Sequence, residues 1–151
     1  MVAADMNGEG LAKSFGDSPD THVQTITANV TSESDWGKMV QLAKEKFGGV
    51  DILINNAGTS YKNKATLDVT EAEFDKVMAV NVKSIFFSIP AIIPAMKERG
   101  GGSIINIASI GAMRPRPGLV WYNASKGAVA NVCFVYMSGL FVLTRYRRRK
   151  V

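Results

Sequence analysis

Tyr122 and Lys126 stand four residues apart in the run "GLVWYNASKGAV", Gly118 to Val129. On a helix, that spacing puts both side chains on one face, with an ammonium within reach of a phenol. A free tyrosine titrates near about 10, and a fixed positive charge beside it favours the phenolate. The pair therefore suits a group that gives and takes a proton at an oxygen, although the same spacing also fits two residues on a helix surface. Three further features are of the right type to assist. Ser109 ends the apolar run "GSIINIAS", 13 residues before Tyr122. "LINNAG" places Asn55, Asn56, Ala57 and Gly58 directly after another apolar run, and Asn81 lies in "AVNVKS". Each has a plainer reading: Ser109 as a turn cap, Asn81 as filler of a helix kink, Asn55 as a brace, and Gly58 as a close backbone approach.

The elements that must position these residues alternate in type. "MVAADMN" reads as a strand delivering Asp5 to a loop, and "VQTITANV", Val23 to Val30, as a second strand rich in β-branched residues. "TSESDWGKMVQLAKEKFGG" reads as a capped helix with Trp36, Met39, Val40, Ala43 and Phe47 at helical spacing, stopped by Gly48 and Gly49. "VDILIN", Val50 to Asn55, is nearly continuous in apolar residues, as strands buried on both faces are. Thr70 and Glu73 form a capping box ahead of a long apolar helix, with a disturbance expected near Pro90 and Pro94. Gly102 to Ser109 reads as another strand, and a helix begins near Trp121 or Tyr122. This alternation predicts an α/β fold with a doubly wound parallel sheet, whose ligands sit at the carboxyl ends of the strands. Asp5, Asn55, Asn56, Gly58 and Ser109 all fall at such ends.

In this order and spacing, Ser109, Tyr122, Lys126, the NNAG run and Asn81 closely resemble the short-chain dehydrogenase/reductase family, over roughly Val2 to Val129. The members most similar are 3-oxoacyl reductases and sugar or polyol dehydrogenases. The resemblance implies a Rossmann-like dinucleotide-binding domain over residues 1–129 and hydride exchange between a nicotinamide and an alcohol or carbonyl carbon. It implies that Tyr122 acts as the acid and base, Lys126 depresses its pKa and holds the nicotinamide ribose, Ser109 bonds the reacting oxygen, and Asn81 holds a water that extends the proton path. Asn56, Ala57 and Gly58 would line the cofactor cleft. Asp5 would accept hydrogen bonds from the adenosine ribose and repel a 2′-phosphate, favouring NAD over NADP. Asn29 and Val30 stand where the family has an aspartate contacting adenine. A homo-oligomer and a small-molecule alcohol or carbonyl substrate are implied in the same way.

Two departures from the family pattern shape the expectation. The chain opens at the family's second strand, without its first strand, its TGxxxGxG turn or the helix that follows. An incomplete sheet is expected, with a gap between the Val2 strand and "VDILIN". Each unpaired backbone group there costs about 1–3 kcal/mol if buried, and weak NAD binding is expected because the missing turn supplies the pyrophosphate contacts. After Val129 the pattern is lost and the family's final strands are not expected. Residues 130–151 read as a divergent apolar segment with a basic tail, for which a helix docked on the sheet, a membrane anchor and a non-native terminus are all open. A catalytically inactive remnant that dimerises, or is tethered to a membrane, is the alternative to an active enzyme.

Composition narrows the partners. The net charge of +5 arises in "RYRRRK", Arg145 to Lys150, and the rest of the chain has 13 basic against 13 acidic residues, which gives no reason to expect nucleic acid. Cys133 is the single cysteine and His22 the single histidine, so no disulfide or metal site is expected and a reducing, cytoplasmic setting is the natural one.

Overall fold

The computed structural model describes residues 1–16 and 22–132 in full and the backbone of residues 140–147. Strand β1 (Val2–Asp5) pairs in parallel with β2 (Gln24–Thr27), Val2 beside Gln24 and Asp5 beside Thr27. Helix α1 (Gly8–Phe15) lies between them, capped where Asn7 Oδ1 accepts the Gly10 N–H. It has no counterpart in the sequence expectation, because Gly8 and Gly10 in its first turn hide a helical signal. Helix α2 (Glu33–Phe47) forms as expected: Ser32 accepts the Asp35 N–H at its start, and Gly48, at φ 77°, ends it in the left-handed conformation.

Strand β3 (Ile52–Asn55) runs parallel to β4 (Gly102–Ser109), in register from Ile52–Ser103 to Asn55–Asn106. The crossover between them consists of α3 (Glu71–Met78), a π-helical turn at Ala79–Lys83, and α4 (Ser84–Glu98). The Thr70–Glu73 capping box is present with both reciprocal bonds. The helical run continues through Pro90 and Pro94, so the expected disturbance is displaced to Asn81, at the π-turn. That run is long and apolar enough to cross a membrane by length and composition alone. Part of its apolar surface is instead spent inside the fold, where Ile85, Ile92, Ala95 and Met96 are buried. Helix α5 (Val120–Asn131) follows.

The strands form two parallel sheets, β1–β2 and β3–β4–β5, where β5 is Leu140–Arg147. Among the described residues β1 and β3 therefore each have one edge without a strand partner, as the expected gap required. Helices link the two sheets through a shared apolar cluster. Trp36 and Met39 of α2 cluster with Ala28, Ile92, Met96 and Ile104, and Ile26 and Leu53, one from each sheet, pack against that cluster. Burying Met96 and Ile104, each at 1% exposure or less, contributes about 1.5–3 kcal/mol apiece.

Two expectations are corrected. Strand β3 is not buried on both faces: Ile52 and Ile54 are 62% and 56% exposed, because the helices α2 and α4 cover only the opposite face. The charge-free stretch Ala128–Thr144 is neither a docked helix nor a spanning one over its last residues, since Leu140–Arg147 is a strand parallel to β4, from Gly102–Leu140 to Ser109–Arg147. A short apolar run satisfies its backbone in a parallel sheet as readily as in a helix. Part of the expected basic tail, Arg145 to Arg147, thus belongs to the sheet, while Cys133 and residues 148–151 lie outside the described residues.

Candidate functional site

Strand β4 alternates, with Ile104, Asn106 and Ala108 turned into the helix layer and buried. Its carboxyl end presents Ser109, whose Oγ accepts the Gly111 N–H at 3.2 Å and so caps the short turn Ile110–Ala112. Helix α5 packs against this strand through Val129, which clusters with Ala108 and Ile85. Lys126, 5% exposed, donates from Nζ to the carbonyl of Ile107 at 2.8 Å. The ammonium is therefore tied to the strand that delivers Ser109, two residues from it. Burial pushes the Lys126 pKa down, because an enclosed cation loses hydration.

The first turn of α5 has no cap from Leu119. Tyr61 supplies one: its hydroxyl oxygen accepts the Trp121 N–H at 3.1 Å, and its ring is almost wholly enclosed. Trp121 stacks edge-on against Phe74 of α3, with ring centroids 5.1 Å apart. Tyr122 follows, partly buried, and no group among the described residues bonds its hydroxyl.

Asn81 reaches from the π-turn to both neighbours. Its Oδ1 accepts the Thr59 N–H at 2.8 Å, and its Nδ2 donates to the Thr59 carbonyl at 3.0 Å and to Ser125 Oγ at 2.9 Å. Ser125, fully enclosed on α5 between Tyr122 and Lys126, passes its own proton to the Tyr122 carbonyl at 2.7 Å. Both amide protons of Asn81 are spent, so a water reaches this carboxamide only by donating to Oδ1. The side chain is a clamp between the segment after β3 and the helix carrying Tyr122. Gly58 fits beneath it: a Cβ there would stand 3.3 Å from Lys126 Nζ and 3.5 Å from Asn81 Oδ1.

Ser109, Tyr122, Lys126, Asn81 and Gly58 are thus assembled on β4, α5, the π-turn and the segment following β3. Asn56 and Ala57 precede Gly58 on that segment and are exposed. Asn55 belongs to the interior, donating to Asn106 Oδ1 at 2.9 Å and to Ser88 at 3.3 Å. Asp5, Asn29 and Val30 sit apart, at the ends of β1 and β2. The Asp5 carboxylate is exposed and accepts the Asn7 N–H at 2.9 Å, leaving acceptor capacity toward hydroxyl groups. Asn29 Oδ1 already accepts from the amide and hydroxyl of Thr31, so only its amide nitrogen is available to an adenine. Val30 lends its carbonyl to Trp36 Nε1. Tested against a nicotinamide dinucleotide, the Lys126 ammonium and the exposed Asp5 carboxylate are groups of the kind that hydrogen-bond ribose hydroxyls. No glycine-rich phosphate turn is found among the described residues.

Ser125, Tyr61, Thr59 and Ile107 are functional neighbours that the sequence reading did not single out. Ser125 carries one usable signal, a small hydroxyl at helical spacing from Tyr122 on the face that also holds Lys126. The others act through backbone groups or from a loop, and spacing does not reveal them.

The family model described as "short chain dehydrogenase" matches residues 1–136, and the chain belongs to that family. It is 42% identical over 107 residues to 4-formylbenzenesulfonate dehydrogenase of Comamonas testosteroni, covering 71% of this chain and 42% of that protein. It is 39% identical over 134 residues to 2-(R)-hydroxypropyl-CoM dehydrogenase of Xanthobacter autotrophicus, covering 85% of this chain and 54% of that protein. Among solved structures, the 3-ketoacyl-(acyl-carrier-protein) reductase of Brucella melitensis complexed with NADH superposes with a TM-score of 0.82 at 39% identity, over 87% of this chain and 56% of that one. The chain spans about half the length of these relatives.

Proposed function

We propose that this chain provides the proton-transfer half of an NAD-dependent short-chain dehydrogenase acting on a small alcohol or carbonyl compound. The observation that carries the reading is the buried Lys126 ammonium, fixed on the Ile107 carbonyl one turn of helix beyond a Tyr122 hydroxyl that no described group engages. In the reductive direction Tyr122 Oη gives its proton to the carbonyl oxygen, and Ser109 Oγ donates a hydrogen bond to the same oxygen. In the oxidative direction Tyr122 receives the proton. Lys126 has used one of its N–H groups on Ile107, and the remaining two hold a ribose hydroxyl. Asn81 and Ser125 keep α5 in register with the segment that presents Gly58. The nicotinamide, when bound, supplies or accepts the hydride. The Asp5 carboxylate favours NAD by repelling a 2′-phosphate, with Asn29 and Val30 toward the adenine and Asn56, Ala57 and Gly58 along the cleft. The relatives' names, with 4-formylbenzenesulfonate, 2-(R)-hydroxypropyl-CoM and 3-ketoacyl-(acyl-carrier-protein), support a carbonyl–alcohol pair.

The test is titration with NADH, followed by nicotinamide fluorescence. Saturable binding that is tighter than NADPH binding, and is weakened by Lys126→Met, is the expected result. Absence of binding rejects cofactor-dependent activity in this chain. The break between β1 and β3 favours a second reading, a folded relative that turns nothing over, and the same titration decides between the two.

A further inference from the structure

We infer that the site takes a carbonyl or hydroxyl compound carrying a fixed negative group, a carboxylate or sulfonate, beyond an apolar body. This rests on the dehydrogenase reading above and adds the substrate class. Two loops meet beside the first turn of α5. Asn63 Nδ2 donates to the Pro117 carbonyl at 2.8 Å, the Lys64 N–H donates to the Gly118 carbonyl at 3.3 Å, and Tyr61 caps Trp121. Asn123, next to Tyr122, donates from Nδ2 to the Arg116 carbonyl at 2.9 Å, so Arg116 is held at the start of the catalytic helix.

The charge on these loops is one-sided. Lys62 on one and Arg114 and Arg116 on the other are exposed, and none makes an ion pair or side-chain hydrogen bond among the described residues. By contrast Lys64, on the same seam, is engaged by Glu73 at 2.7 Å. The sequence has no aspartate or glutamate from Ile52 to Leu67 and none from Arg99 to Val151, so the two segments that build the site carry no acid of their own. Clefts lined by one sign of charge concentrate the opposite one, and arginine pairs with carboxylate and sulfonate oxygens through two parallel N–H bonds. Exposed apolar side chains flank the two arginines in the same segment: Met113, next to Arg114, is 69% exposed, and Trp121, next to Tyr122, is 36% exposed.

Trp121 also reports occupancy. The full chain is titrated with 4-carboxybenzaldehyde and with its neutral counterpart 4-methylbenzaldehyde, following tryptophan fluorescence and saturation-transfer NMR. The carboxylate is expected to bind about tenfold tighter, the effect of one charge-assisted contact. The preference should shrink at high salt and disappear in the Arg114→Gln, Arg116→Gln double variant, while binding of the methyl compound is unchanged. Equal binding of the two aldehydes, no binding of the carboxylate, or a preference that survives the double substitution overturns the inference. NADH titration is independent of this result: cofactor binding without an anion preference overturns the substrate class and leaves the dehydrogenase reading standing, and the converse result does the reverse.

Discussion

Replacing Ser125 with alanine isolates the contact that joins the two halves of the site. The side chain is fully enclosed, accepts from Asn81 Nδ2 at 2.9 Å and donates to the Tyr122 carbonyl at 2.7 Å. Alanine leaves almost no cavity, so the loss is one of hydrogen bonding. The Tyr122 carbonyl retains its helical partner. The Asn81 N–H does not, and Asn81 is only 2% exposed, so an enclosed donor is orphaned at about 1–3 kcal/mol. A loss of about 2 kcal/mol lowers Tm by roughly 4–8 °C in a chain of this size. Asn81→Ala frees both backbone groups of Thr59 and costs at least as much. The double variant should lose less than the sum of the two single changes, by about 1 kcal/mol, because the orphaned N–H is absent once Asn81 is gone. Urea melts read through Trp36 and Trp121 fluorescence measure all four species. A coupling energy below about 0.5 kcal/mol, the range of independent sites, would refute the clamp.

Three further outcomes follow from the same geometry. Gly118 adopts φ 74°, and a Cβ there would lie 2.2 Å from Asn63 Oδ1, so Gly118→Ala should destabilise by about 1–2 kcal/mol in urea melts, and an unchanged midpoint contradicts the close contact of the two loops. Tyr61→Phe keeps the ring and removes the cap on α5; a loss of about 1 kcal/mol and faster amide exchange at Trp121 and Tyr122 are expected, and exchange as slow as in the parent chain counts against capping. The Lys64 ammonium and the Thr70 N–H hold the Glu73 carboxyl down to about 2 from its usual 4.5. A depressed carboxylate stabilises the fold above its unfolded pKa, and that contribution fades as pH falls from about 4.5 toward 2. Lys64→Met should therefore move the acid-unfolding midpoint upward, and a midpoint that stays in place argues against the pair.

Local signals account for the parts of the fold that depend on neighbours in sequence. Ser32 and Gly48 bound α2, the Thr70–Glu73 box starts α3, and the alternation of β4 brings Ser109 to its end, each through contacts within a few residues. The same locality explains the misreadings. Gly8 and Gly10 obscured α1, whose cap depends on the particular turn at Asn7. Pro90 and Pro94 suggested a kink, yet the helix yields at Asn81, where Thr59 and Ser125, 22 and 44 residues away in sequence, capture the side chain. Leu140–Arg147 is short and apolar, and only the available edge of β4 makes it a strand.

The residue types and spacing of Ser109, Tyr122 and Lys126, with Asn81 and the NNAG run, determined the family, because they recur at fixed intervals along rigid elements. Tertiary structure alone decided how those groups are held. Lys126 reaches Ile107 across the strand–helix interface, Tyr61 caps a helix 60 residues on, and Asn81 spends its amide protons as a clamp. It also decided that Leu140–Arg147 pairs with β4, since strand neighbours are chosen by backbone hydrogen bonding between distant segments, which a short apolar run does not announce.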